Sequence, residues 1–343
     1  MAYEKLRLTS ELLWNKGTID DYINDVGIVW KDQDRPRTMI DIWLRVVQHS
    51  SELGELVRRS QFDKAKDQLG HISIWMLTFA AKGQIQRTGL DNLFQIRFPL
   101  SQILWRKFPN CCPTCFTRRV ALALAKPPES WDGEVKECDC ILTLAETENR
   151  NKFLTPEQKK EAKEKRLEYA KKMLTSKKVD YDKISLIELE DRFSTIFKRN
   201  IFALDLEQVT FHFLEEVGEV VEALTALYTF KGENGGKPEE ELRPEWQKRL
   251  ADLEEELADS FSWLFAVSSK FRDVFSIFDA YTKVSTHAKE MFVASHLIKR
   301  HRRESDSLMK CYVCGSSPCN CQIRLIIGDD SANKLTGVKA KSK

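Results

Sequence analysis

The chain has 343 residues, of which 42% are hydrophobic and 31% charged, a balance typical of globular proteins and too apolar for a disordered one. Lys and Arg number 54 against 52 Asp and Glu, so the usual electrostatic reason to expect a general nucleic-acid or membrane binder is missing. No apolar run reaches the roughly 18–20 residues that cross a bilayer, and the first residues lack a signal-peptide pattern. We therefore expect a soluble, cytoplasmic protein, and its few prolines and glycines favour helices.

The first predicted unit is a helical region at 1–105. Apolar side chains recur in it at helical spacing: Ile40, Trp43, Leu44 and Val47. Two of its segments, 51–57 and 67–75, return in related form later in the chain. Each carries two polar residues three positions apart: Glu52 and Glu55, then Gln68 and His71.

A cluster of cysteines follows at 106–145. It contains a C-x-x-C pair and a C-x-C pair: Cys112, Cys115, Cys138 and Cys140. Disulfides are rare in a reducing cytosol, whereas four thiolates in a tetrahedral array suit a structural Zn²⁺ ion. The spacing therefore predicts a four-cysteine zinc module, and Cys111 is left without a role.

A charged stretch at 146–183 separates the two halves of the chain. Thr155, Pro156 and Gln158 match an N-cap, a first-turn proline and a capping-box partner. We expect a solvated helical linker, because a run of charges is usually a wet helix face.

The second helical region, at 184–305, resembles the first. Residues 215–221 match 51–57 and residues 255–263 match 67–75, in the same order, and each set precedes its own cysteine cluster. This repetition predicts a tandem duplication in which the two repeats pack like the subunits of a symmetric dimer. Its apolar residues also follow a helical period: Phe211, Leu214, Val217, Val221 and Leu224, then Leu253, Leu257, Phe261 and Leu264.

Four carboxylates in this region have the spacing of a metal site. Glu216 and Glu219 are three residues apart, as are Glu256 and Asp259, so each pair shares one helix face. If the two helices pack antiparallel, the four converge, and a divalent cation relieves their repulsion; oxygen ligands favour Mg²⁺ or Mn²⁺. Glycine at 218, inside this helix, suggests close approach of a backbone or a ligand. The acidic neighbours are expected outside or beside the site: Glu215, Glu222, Glu254 and Glu255.

Glu216-Val-Gly-Glu219 followed by Glu256-Leu-Ala-Asp259 resembles the E-x-x-E and E-x-x-D signature of the all-α nucleoside triphosphate pyrophosphatases, the MazG-like group. The resemblance covers about 205–290 and, more weakly, 38–82. It implies that the four carboxylates bind Mg²⁺ and that the enzyme cleaves (d)NTPs to the monophosphate and pyrophosphate. It also implies basic phosphate-binding residues beyond the second helix, for which the candidates are Lys283 and Lys289, with Lys299 and Arg300 further away.

Three further features have open interpretations. His212, one turn before Glu216, faces either a nucleobase or its own protein surroundings. The stretch 231–238 between the carboxylate helices is either a mobile lid or a plain surface insertion. In the first repeat, Gln68 and His71 replace Glu256 and Asp259, which predicts a degenerate structural partner. The alternative there is a second, softer metal site made by Glu52, Glu55 and His71.

The final segment, 306–343, repeats the cysteine pattern in compact form: Cys311, Cys314, Cys319 and Cys321. We predict a second zinc module there, with a short strand at 322–327. The whole chain is therefore expected to be a mostly α, tandem-duplicated MazG-like bundle with two four-cysteine zinc modules. The leading function is nucleotide pyrophosphohydrolysis, and the alternatives are a nucleotide sensor or a zinc-based docking protein. The basic segment 299–303 leaves nucleic-acid binding open, and the oligomeric state is also open.

Overall fold

The computed structural model describes residues 17–30, 34, 36–85, 98–113, 137–138, 183–234 and 236–271, with single positions between 155 and 168 and between 276 and 285. These described residues form eight helices and no strand, which confirms a mostly α protein over this part of the chain. They all belong to one compact unit, Met1–His287. None of the described helices is both long enough and apolar enough to cross a membrane.

Two long helical hairpins form the centre of this unit. Their helices are α2 (Met39–Arg58) and α3 (Phe62–Ile85), then α7 (Leu206–Glu233) and α8 (Glu239–Lys270). The two helices of each hairpin pack along one another, and α2 also packs on α7. Both α2 and α7 begin with a capping box, in which the side chain of Thr38 or Asp205 accepts a hydrogen bond from a backbone N–H of the first turn.

Shorter helices surround the hairpins. They are α1 (Ile19–Val29), α4 (Leu100–Lys107), α5 (Leu186–Ile196) and α6 (Lys198–Ala203). Helix α1 packs on α3, α5 packs on α8, and α4 contacts both α1 and α8. The capping residues that start α1 and α5, Thr18 and Ser185, pair with each other as an antiparallel bridge. Each long hairpin is thus preceded by a capped short helix that packs on the hairpin's second member.

The contact between α2 and α7 joins the two hairpins tightly. The indole Nε1 of Trp43 donates a buried hydrogen bond of 3.0 Å to the backbone oxygen of Val217. A Cβ atom added at Gly54 would lie 3.1 Å from Cδ1 of Leu214, so the absence of a side chain at Gly54 permits this approach. The ring of Trp43 also packs edge-on against Phe79, with 4.8 Å between ring centroids, and so connects the contact to α3.

Two buried carboxylates hold a later part of the chain against the short helices. Asp25 on α1 accepts a hydrogen bond from the hydroxyl of Tyr281. Glu190 on α5 accepts one from the hydroxyl of Ser268 and one of 3.4 Å from the backbone N–H of Ile277. Because buried polar groups are costly unless they are paired, these bonds fix where residues 277 and 281 lie.

The apolar patterns predicted from the sequence agree with the structure in α8 and only partly elsewhere. Leu253, Leu257, Phe261 and Leu264 are all buried, as predicted. Leu44 on α2 and Phe211 on α7 lie in helices, as their spacing predicts, but are 50% and 60% exposed. The buried face of α2 includes the polar residues His49 and Ser50, which a search for apolar spacing does not find.

The described part of the predicted charged linker is helical after Thr155. Of the described positions from 155 to 168, every one after Thr155 is helical, and all are exposed. Glu161 and Lys165 form an exposed i,i+4 ion pair of 2.7 Å. This agrees with a solvated helix; the predicted capping partner Gln158 lies outside the described residues.

Candidate functional site

Two neighbouring helices bring three carboxylates together. Glu216 and Glu219 project from α7 and Glu256 projects from α8, and one carboxylate oxygen of each lies within 4.8 Å of the others. The three-residue spacing on α7 places its two glutamates on one face, and the packing of α8 along α7 adds the third. The structure therefore brings together three of the four predicted ligands.

The surroundings of this cluster raise the pKa of two of its members. Burial, followed by the negative charges of Asp259, Glu219 and Glu256, raises the pKa of Glu216 to about 8. Burial, followed by a hydrogen bond with Glu219, raises the pKa of Glu256 to about 7. The apolar residues next to the three glutamates in the sequence are buried: Val217, Val220, Leu257 and Ala258. The carboxylates therefore resist ionising together unless positive charge is added.

The fourth predicted ligand, Asp259, contacts a cation instead of joining this group of three. The Nζ atom of Lys107, the last residue of α4, lies 2.8 Å from Oδ2 of Asp259 and 3.9 Å from Oε2 of Glu255. The side chain of Lys107 is only 15% exposed, so its charge is largely withdrawn from water. Lys107 also opposes the rise in the pKa of Glu216 and of Glu256.

The donor set fits a hard divalent cation. Its atoms are all oxygens, the ligand type preferred by Mg²⁺ and Mn²⁺. The Oε2 atom of Glu216 is buried without a hydrogen-bond partner among the described residues, although a buried acceptor is normally satisfied. Two like charges about 4 Å apart repel by about 4 kcal/mol at an effective dielectric constant of about 20. A divalent ion would satisfy the unpaired oxygen and relieve this repulsion.

The acidic neighbours take different positions. Glu215 and Glu222 are exposed on α7, with Glu222 lining an open groove beside Arg249 of α8, and Glu255 lies beside the site near Lys107. Glu254 is only 6% exposed, so an exterior position is wrong for this residue. Its burial follows from its place on α8 next to Leu253, on the face of the helix that the rest of the unit covers.

The close approach of another backbone expected at Gly218 is not found among the described residues, and the alternative of a ligand there stays a prediction. A Cβ atom added there would meet nothing within 4 Å, so no described part of the protein approaches it closely. The equivalent glycine of the first hairpin, Gly54, is the one that permits close packing. The space beside Gly218 on the exposed face of α7 is open.

His212 lies near the carboxylates but outside the cluster. Its ring stacks on Trp263 with 4.7 Å between centroids, and its Nδ1 atom lies 3.3 Å from Oε2 of Glu215. His212 is one turn before Glu216, and Trp263 is one turn after Asp259. The stacked pair therefore marks the end of the site that faces away from the α7–α8 turn.

The predicted lid is a short turn far from the carboxylates. Helix α7 continues to Glu233, and α8 begins at Glu239. The rise of an α-helix places Glu233 about 21 Å from Glu219 along α7. The connection between the helices therefore agrees with a surface turn. An open groove of about 430 Å³ lies between α7 and α8 and is lined in part by Phe230 of α7 and Arg249 of α8.

The first hairpin arranges the corresponding positions differently. Glu55 pairs with two arginines of its own helix end, at 2.8 and 2.6 Å. The side-chain oxygen of Gln68 lies 2.8 Å from Nδ1 of His49, and the His49 ring stacks on His71 at 5.1 Å. Among the described residues, Glu52, Glu55 and His71 do not form a group whose ligand atoms lie within 4.8 Å of one another, so the geometry gives the alternative of a second metal site no support. Burial lowers the pKa of His71 to about 4, which favours the neutral ring.

Part of the first cysteine cluster is described. Cys112 and Cys138 are buried in one small cluster with Ile196, and Phe197 packs against them. The backbone N–H of Cys138 donates a hydrogen bond of 2.6 Å to the carbonyl of Ile196, which anchors it to the end of α5. The structure thus brings together one cysteine from each predicted pair. The other predicted zinc ligands lie outside the described residues: Cys115, Cys140, Cys311, Cys314, Cys319 and Cys321.

Sequence reasoning missed the lysine that contacts the carboxylates. Lys283 and Lys289, the candidates for binding the substrate phosphates, lie outside the described residues, as do residues 299–303 and 322–327. Lys107 comes instead from the first half of the chain and reaches the site because α4 packs on α8. No motif distinguishes it in the sequence. Comparisons with models of known protein families, with curated proteins and with solved structures found no match to this chain.

Proposed function

We propose that this protein is a Mg²⁺-dependent nucleoside triphosphate pyrophosphohydrolase that cleaves (d)NTPs to the monophosphate and pyrophosphate. The observation that carries the proposal is the convergence of Glu216, Glu219 and Glu256 from two packed helices. Their order and spacing are those of the MazG-like signature, and they lie in an all-helical unit. The raised pKa values and the unpaired oxygen of Glu216 support a site built for added positive charge.

We also propose that the unit is a tandem duplication, with the first hairpin as a degenerate partner. Each long hairpin follows a short helix with a capping box, and the capping residues Thr18 and Ser185 pair with one another. The α2–α7 contact is the equivalent of a dimer interface within one chain. Gln68 and His71 stand where the second half has two carboxylates, and both contact His49, which supports a first half without a cluster of negative charge at these positions.

The residues of the site have separate roles in the proposed reaction. When bound, Mg²⁺ would neutralise the triphosphate and lower the pKa of an attacking water. Glu216, Glu219 and Glu256 hold it from two helices that their own packing keeps rigid. The pKa of about 8 belongs to Glu216 without a bound cation, and a divalent ion on its carboxylate would lower that pKa, so the general base would be a glutamate oxygen that the ion leaves free.

The experiment is a screen of the common NTPs and dNTPs with Mg²⁺, with products identified by mass. We expect a monophosphate and pyrophosphate, and Glu216→Gln or Glu256→Gln should lower the rate by roughly 100-fold or more. Glu222→Gln is the matched control, because Glu222 lies on the same helix outside the carboxylate cluster. Stepwise release of phosphate, or equal losses in the control and the site variants, would contradict the proposal.

A second candidate is a nucleotide sensor that retains the pocket without turnover. The observation that favours it is the pairing of Asp259 with Lys107, which occupies one predicted metal ligand. Tight nucleotide binding with no product over hours would select the sensor over the hydrolase.

We further propose a structural zinc ion in each cysteine module. The clustering of Cys112 with Cys138 supports the first of them, since it joins the two predicted pairs. Metal analysis of the purified protein should find about two zinc ions per chain, and about one after Cys112→Ser together with Cys138→Ser. Unchanged zinc content in that double variant would exclude the first module.

A further inference from the structure

Lys107 brings a positive charge to the edge of the carboxylate cluster, and its position is well anchored. It ends α4, where the preceding Leu104 and Trp105 are completely or almost completely buried. Packing of α4 on α8 therefore directs the lysine side chain to the outer edge of the cluster. At 15% exposure, its ammonium group has little water to compensate for a lost partner.

The ammonium group and a metal ion would compete for the same side chain. Asp259 lies 2.8 Å from Lys107, whereas the three glutamates form the group able to share one ion. A divalent ion bound to Asp259 as well as to the glutamates would lie close to the ammonium and repel it. The nearest new source of negative charge is the polyphosphate of a bound substrate, which lysine binds readily as a point charge.

We propose that Lys107 is a tethered counter-cation that pairs with Asp259 when no metal is bound and binds a phosphate oxygen of the substrate once the metal has taken Asp259. This inference rests on the proposed function, because it takes the carboxylates as the metal site and a triphosphate as the ligand. It assigns to the first half of the chain a direct part in the site of the second half. Metal bound without nucleotide would leave Lys107 with the more distant Glu255, 3.9 Å away, as its carboxylate partner, so metal and nucleotide should favour each other's binding.

The test compares Lys107→Met with the matched control Arg106→Met. Arg106 is the adjacent cation on α4, but its guanidinium lies over the Phe98 ring, 3.9 Å from the ring centroid. Binding of Mn²⁺ to the nucleotide-free full chain is measured by electron paramagnetic resonance. Binding of inorganic triphosphate at saturating Mg²⁺ is measured by calorimetry, which avoids any base preference.

We expect Lys107→Met to bind Mn²⁺ about tenfold more tightly and triphosphate about tenfold more weakly than the wild type, with Arg106→Met unchanged in both. In an Asp259→Asn background, the gain in Mn²⁺ affinity should disappear, because the pair is already broken. Lys107→Gln serves as the second variant if the methionine variant does not fold.

Unchanged or weaker Mn²⁺ binding in Lys107→Met, or unchanged triphosphate binding, would overturn the inference. Absence of Mn²⁺ binding to the wild type would overturn it together with the proposed function. The two fail separately in other cases. If the wild type binds Mn²⁺ and triphosphate but forms no pyrophosphate from NTPs, the proposed hydrolase activity is excluded. The inference about Lys107 then still holds, provided that the affinity changes are as expected. Normal turnover without those affinity changes removes only the inference.

Discussion

Replacing Glu216 by glutamine should stabilise the metal-free protein in a manner that depends on pH. The pKa of Glu216 in the folded protein is about 8 against an ordinary 4.5, because burial and three neighbouring carboxylates oppose its charge. The folded state thus binds the proton more tightly than the unfolded chain, and the free energy of unfolding falls as the pH rises from about 4.5 to about 8. The difference in pKa corresponds to about 5 kcal/mol. Since the side chain is only half-buried, solvent screening reduces the expected effect to about 1–2 kcal/mol.

The assay is urea unfolding of wild type and Glu216→Gln in EDTA across this pH range. Above pH 8 the variant should be more stable than the wild type by about 1–2 kcal/mol. Below pH 4.5 the two proteins should have the same free energy of unfolding, because the side chain at 216 is then neutral in both. Added Mn²⁺ should narrow the difference by stabilising the wild type alone. Glu215→Gln, at an exposed neighbouring position, is the control. A variant that is less stable than the wild type at high pH, or a difference independent of pH, would refute the reasoning.

Other predictions concern the helices around the site. Gly218→Ala should raise the free energy of unfolding by about 1 kcal/mol, since the added methyl group meets nothing within 4 Å. Gly54→Ala should raise it by less, because its Cβ would crowd Leu214 of α7. Equal increases in stability, measured by thermal unfolding, would contradict this prediction. Because burial lowers the pKa of His71 to about 4, the free energy of unfolding should fall as the pH drops from 6.5 towards 4. His71→Gln should remove about 3 kcal/mol of that fall. Identical acid unfolding curves for the wild type and the variant would contradict this prediction. Trp43→Phe should cost about 2 kcal/mol in urea unfolding through the lost bond to Val217, and a cost below about 0.5 kcal/mol would show that this contact contributes little.

The two hairpins carry opposite electrostatic arrangements on similar frameworks. In the first, the pair of His49 and His71 is held neutral by burial, and His49 is hydrogen-bonded to Gln68. In the second, Glu216 and Glu256 carry raised pKa values and face other carboxylates. The first arrangement consists of neutral rings and an amide of one hairpin, whereas the second brings together carboxylates whose charges repel one another. This difference explains why a functional site is expected in only one half.

The helical class and the carboxylate pairs followed from the sequence because both depend on short-range periodicity. A three-residue spacing places Glu216 beside Glu219 on any α-helix, whatever the rest of the protein does. Capping residues such as Asp205 likewise act within one turn. The buried stripe of α8 was also predictable, since its apolar residues recur at helical spacing over several turns.

Predictions that required knowledge of neighbouring helices were less successful. The exposed Leu44 and Phe211 fit an apolar helical pattern, but which stripe is buried depends on the angle at which other helices pack against it. Glu254 was expected outside and is buried for the same reason. Gly218 could not be distinguished from Gly54 by sequence, since only the contact of α2 with Leu214 makes one of them necessary.

The sequence by itself determined that this protein is helical and which carboxylates share a helix face, because those properties arise within a few turns of one chain segment. Only the tertiary structure decided that Lys107 contacts Asp259, since the two are brought together by the packing of α4 on α8. Long-range contacts of this kind depend on the shapes of two helix surfaces, which no local pattern records.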